Sequence, residues 1–108
     1  MRPLFLPALS LFLLTALAGT PQAQALMGDR DAGYALAKKT CAECHRIGRE
    51  EKTQKLYPAT SFQEIADRPQ STEMSLRVFL KSPHRDMPDL ILTETEIDNV
   101  VAYILGLR

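Results

Sequence analysis

The chain's chemistry is concentrated in one five-residue run, Cys41-Ala42-Glu43-Cys44-His45. If the run continues a helix, positions i, i+3 and i+4 share a face, so the two thiols and the imidazole project together. That pattern suits covalent haem attachment. Two thiols add to the two vinyl groups of a porphyrin, and the adjacent imidazole lies under the iron as proximal ligand. Two other chemistries use similar residues. A redox dithiol of the Cys-x-x-Cys kind requires a βαβ setting. A structural zinc site requires a second ligand pair with its own short spacing. The remaining histidine, His84, stands alone, so the zinc reading lacks that pair. Haem is the reading that uses all of Cys41, Cys44 and His45.

Those residues must be positioned by helices. No stretch shows sustained period-2 alternation with β-branched enrichment, so the pattern predicts an all-α chain without a sheet. Asp29 is a cap residue for a first helix reaching about His45, with Ala32, Gly33, Leu36 and Ala37 on its apolar stripe. The polar stretch 46–57 reads as a loop. Ser61-Phe62-Gln63-Glu64 is a capping box for a short helix to about Asp67. Ser71 or Thr72 opens a helix carrying Met74, Leu76, Phe79 and Leu80, and Pro83 disfavours helical geometry at Ser82. Thr93-Glu94-Thr95-Glu96 is a second capping box. It opens a helix whose Ile97, Val100, Val101, Ile104 and Leu105 follow the i, i+3, i+4, i+7, i+8 rule, with Gly106 as C-cap.

The N-terminus has the order of an export signal. Met1-Arg2 is a short basic start, Leu4 to Ala18 is almost wholly apolar, and Ala23-Gln24-Ala25 offers small residues at a cleavage site. The apolar run falls short of the roughly 20 residues a membrane span needs. Residues 1–25 are therefore expected to be a cleaved signal peptide and 26–108 the working domain. A periplasmic location without stable membrane insertion follows, and it suits haem attachment, which is completed outside the bacterial cytoplasm. The working domain is poor in large apolar residues, with Tyr34, Tyr57, Phe62, Phe79 and Tyr103 as its aromatics. So thin a core needs a bound group to complete it.

With 13 Lys plus Arg against 13 Asp plus Glu, the chain has a formal net charge of zero. That excludes nucleic-acid binding through bulk positive charge. Basic residues gather between Lys38 and Lys55, and acids between Asp86 and Asp98. This is either a docking face that steers encounter or a solvated loop beside helix-capping acids. The capping pattern already accounts for Glu94, Glu96 and Asp98, which favours the second.

Taken together, residues 28–108 resemble the small class I cytochromes c of bacteria. In that family a glycine precedes the first haem cysteine by eight residues, as Gly33 does here. The resemblance implies that the N- and C-terminal helices cross at Gly33, against Val100 and Tyr103. It also implies a distal methionine ligand, and Met87-Pro88 matches that element. Among the other methionines of the expected domain, Met27 lies near its start and Met74 falls in an apolar helical stripe, where core packing is expected. His84 is the competing ligand. The family often has an aromatic residue where this chain has Ala37. It also tends to have a proline whose carbonyl holds the proximal imidazole. Here Ala59-Thr60 precede Ser61, and which carbonyl orients His45 stays open.

The function this implies is one-electron transfer between redox partner proteins by a single covalently bound haem c, with no catalytic residues. Cys41 and Cys44 tether the haem, and His45 and Met87 ligate its iron. The alternatives are a haem subunit of a larger periplasmic oxidoreductase and a ligand-binding or peroxidase-like protein with a labile sixth site.

Overall fold

A computed structural model describes residues 27–53, 59–82 and 86–108. The expected signal peptide, the loop residue Tyr57 and the competing ligand His84 lie outside the described residues. Four helices follow in order: α1 (Arg30–Thr40), α2 (Phe62–Asp67), α3 (Glu73–Lys81) and α4 (Glu94–Leu105). Among the described residues there are no strands, only an isolated parallel bridge between His45 and Ala59. No described helix is long and apolar enough to cross a membrane.

Each helix starts where a side chain satisfies its free N–H groups. Asp29 accepts from the Asp31 and Ala32 amides. Ser61, Thr72 and Thr93 each open a full capping box, with Glu64, Ser75 and Glu96 reaching back to the cap amide. Thr72 rather than Ser71 is thus the cap of α3. Ser82 ends α3 in extended geometry, as a residue before proline should. Gly106 is the C-cap of α4, though with a right-handed φ of −76°. It therefore closes the helix without the left-handed turn that usually selects glycine.

The core gathers around α4, whose Ile97, Val100, Val101 and Ile104 are buried with Ala37, Ile47, Phe62, Ala66 and Leu76. α4 packs most extensively on α1, and also against α3 and α2. The crossing with α1 is a backbone approach. A Cβ on Gly33 would overlap the Asn99 carbonyl group, 2.5 Å from its carbon, and lie 2.9 Å from Tyr103 Cβ. The expected crossing at Gly33 is present, with the Asn99 carbonyl and Tyr103 as its nearest contacts. Gly28 makes a second close approach, to Asp98 and Asn99. The Asn99 side chain accepts from the Asp29 amide at 2.8 Å, and Arg30 donates to the Gly106 carbonyl at 2.7 Å.

Three local expectations need correction. α1 ends at Thr40 rather than at His45, because the Ala37 carbonyl accepts from both Cys41 and Ala42 amides, widening the last turn. In its apolar stripe Ala32 is exposed and only Gly33 and Ala37 are buried. Met74 is not core: it is 69% exposed. α3 contributes Leu76 to the core, and the hydrophobic run places Met74 on another side of the helix.

Candidate functional site

The run Cys41–His45 leaves α1 in a tight turn. The Cys41 carbonyl accepts from the Cys44 amide at 3.1 Å and from the His45 amide at 2.8 Å. These are i+3 and i+4 bonds, so the geometry of one helical turn outlasts the helix, and Cys41, Cys44 and His45 still line a common cavity.

A second segment is stitched alongside. The Ala59 amide donates to the Cys44 carbonyl at 2.8 Å and the Phe62 amide to the Arg46 carbonyl at 3.0 Å. Between these two bonds the Thr60 carbonyl turns toward His45 and accepts from its Nδ1–H at 2.7 Å. Thr60 therefore supplies the carbonyl that the sequence left open. This bond sets the tautomer, leaving Nε2 as the lone-pair nitrogen. The ring also packs against Phe62, with centroids 5.4 Å apart. Phe62 in turn lies 6.2 Å from Tyr103, and Tyr103 5.4 Å from Tyr34. An aromatic series thus joins His45 to the α1–α4 crossing.

The cavity in front of His45 has a volume of about 700 Å³, large enough for a sizeable organic ligand. Its apolar wall includes Ile65, Leu76, Phe79, Leu80 and Ile104, and Met87 and Pro88 also line it. Phe79, 55% exposed, shows its open face to this cavity. Asp86, just before Met87, has φ 63°. A left-handed backbone at a residue with a Cβ is a strained choice that marks a constrained turn.

The donor set fits a flat apolar macrocycle with an iron at its centre: two thiols, an imidazole with its far nitrogen free, a thioether on the same cavity and an aliphatic wall. It fits a redox dithiol poorly. Burial, and then the neighbouring Cys44, push the Cys41 thiol up to about 11. A redox dithiol works through a thiolate of lowered pKa. Among the described residues no group of three or more His, Cys, Asp or Glu could hold a metal ion by itself.

The acids near α4 are engaged locally. Glu96 accepts from the Thr93 amide at 2.8 Å, Asp98 pairs with Arg77, and Glu94 pairs with Lys81 and with Arg77 at 3.6 Å. The capping and internal-pairing account thus covers all three.

Sequence reasoning does not single out Thr60 and Phe62, which act on His45 from fifteen and more positions away. The capping box at Ser61 held a clue. It places Thr60 just outside the helix, where its carbonyl is not required by the helical ladder.

Comparison with known proteins identifies the family. The Cytochrome c family matches residues 31–108. The chain is 37% identical over 84 residues to a protein named cytochrome c-552 from Bradyrhizobium diazoefficiens, covering 78% of this chain and 80% of that one. No solved structure matches significantly. The two-thiol and imidazole run, the helical architecture and the family match converge: the chain belongs to the cytochrome c family, as a small class I c-type cytochrome with covalently bound haem c.

Proposed function

We propose that the protein is a one-electron carrier of an exported redox chain, with Cys41 and Cys44 as the covalent tethers and His45 and Met87 as the axial ligands. The observation that carries the assignment is the convergence of all four side chains on one cavity, with His45 Nδ1 already committed to the Thr60 carbonyl. When bound, the haem supplies the ferric/ferrous couple, and the protein binds, orients and tunes it.

Each residue has a distinct task. The thioether links formed by Cys41 and Cys44 fix the cofactor against the turn after α1. His45, oriented by Thr60 and braced by Phe62, presents Nε2. Met87 offers a soft thioether that favours the ferrous state and raises the potential. Leu76, Leu80 and Ile104 exclude water from the apolar faces. Residues 1–25 serve as a signal peptide that delivers the chain to the periplasm. The family match beginning at residue 31 is compatible with that division.

A redox titration with spectra on the purified holoprotein tests the reading. Met87→Ala should abolish the far-red sulfur-to-ferric-iron band, lower the potential and open the iron to CO, whereas His84→Ala should do none of these. If His84→Ala removes low-spin ligation while Met87→Ala leaves it intact, Met87 is not the ligand. A wild-type protein that binds CO readily would favour a ligand-binding function over electron transfer.

A further inference from the structure

The Thr60 carbonyl that holds His45 belongs to the same peptide unit as the Ser61 amide. That amide is not idle: it donates to Glu64 Oε2 at 3.0 Å, while Ser61 Oγ donates to the same oxygen at 2.6 Å. Ser61 is buried, and its Oγ accepts in return from the Glu64 amide. A peptide unit is planar and rigid. Clamping its N–H edge therefore fixes the direction of its C=O edge. The two edges are also electronically linked, since an anionic acceptor on the N–H strengthens the carbonyl as an acceptor.

We propose that Glu64 is a positioning residue for the His45 imidazole, acting through the Thr60–Ser61 peptide that lies between them. The proposal rests on His45 being the proximal ligand. The chain of contacts runs from the Glu64 carboxylate to the Ser61 N–H, through the peptide to the Thr60 oxygen, and on to His45 Nδ1–H. The hydrogen bonds from Ser61, with Arg46 and Arg68 nearby, hold Glu64 below the usual carboxylate range, so the charge is present at neutral pH. A stronger acceptor at Nδ1–H makes the imidazole a better electron donor to the iron, which favours the ferric state. The capping box of α2 thus serves two ends: it starts a helix and it tunes a ligand.

The test is made on holoprotein carrying Glu64→Ala or Glu64→Gln, with Thr72→Ala as a control that removes the corresponding cap from α3. The readouts are the pattern of hyperfine-shifted haem methyl resonances in the ferric protein, which follows the imidazole plane, and the reduction potential. Glu64→Ala should redistribute the methyl shifts and raise the potential. Glu64→Gln, which retains a side-chain acceptor for the Ser61 amide, should keep the methyl pattern yet still raise the potential, because the charge is gone. Thr72→Ala should lower the melting temperature and move neither readout. A wild-type potential in both Glu64 variants would overturn the proposal, as would a Thr72→Ala shift of equal size. If Glu64→Ala yields no holoprotein, the potential of Glu64→Gln decides alone. Failure of the ligand assignment is distinguishable, because His45→Ala would then retain low-spin ligation.

Discussion

At the α1–α4 crossing backbone meets backbone, with Gly28 and Gly33 set against Asp98 and Asn99 and sealed by Tyr103. Between α3 and α4, long charged side chains join the apolar contacts of Leu76 and Leu80: Arg77 pairs with Asp98, and Lys81 with Glu94. α3 buries Leu76 while Met74 and Val78 stay exposed and Phe79 and Leu80 line the cavity. The first region is closed by contacts between protein segments. The second lines the cavity that the haem would fill, so its apolar side chains would gain contacts from that group. Helices of similar length in one small chain thus depend to different degrees on haem.

The most damaging way to probe this difference is to remove the cofactor. A Cys41→Ala/Cys44→Ala variant should lose most helical circular dichroism, because the thin core cannot hold the four helices together without the group at its centre. A cooperative, native-like melt without haem would show that the crossing alone suffices.

Next in size is the crossing itself. Gly33→Val in the holoprotein should destabilise by about 3 kcal/mol, at the upper end of overpacking costs, because the obstacle is the Asn99 backbone rather than a movable side chain. Chemical denaturation measures it, and a wild-type midpoint would refute the close approach.

The sequence disclosed some of this arrangement and hid the rest for definable reasons. The haem-binding run, the caps at Ser61 and Thr93 and the face of α4 were legible, because each depends on side chains a few positions apart. The crossing glycine was legible at Gly33 through the family spacing, yet Gly28 and Asn99 were not. What they contribute is room for a backbone or a bond to a distant amide, and neither leaves a periodic trace. The end of α1 at Thr40 was hidden because Cys41–His45 keeps helix-like turns after the regular ladder stops. Met74 misled because an apolar residue in a helical stripe resembles core until the packing partners of that face are known. Thr60 acts through its carbonyl, which every residue type carries.

A smaller effect separates the helix starts from the packing. Thr93→Ala should cost about 1 kcal/mol through loss of the α4 cap, seen as a lower melting temperature with an unchanged spectrum. Acid should expose the carboxylate partners of these caps. Bonds from Ser61 and Thr93 respectively hold Glu64 and Glu96 below the ordinary carboxylate range. Their stabilising effect is therefore full above the unfolded value of about 4.3 and is lost as pH falls through the lower folded values. Melting temperatures between neutral pH and pH 2 should show this decline, and Glu64→Gln or Glu96→Gln should flatten its acid limb. At the low end of the scale, Met74→Ala should change stability by less than about 0.5 kcal/mol. A larger loss would return Met74 to the core.

The tyrosines at the crossing have an optical consequence. The chain has no Trp and 3 Tyr, and Tyr34 and Tyr103 face one another where α1 meets α4. Intrinsic emission therefore originates largely from one junction, a short distance through Phe62 from His45 and the site of a strongly absorbing cofactor. In the intact holoprotein that emission should be quenched by energy transfer. When the helices part it should brighten, so the protein carries a built-in fluorescent gauge of its own interhelical contact.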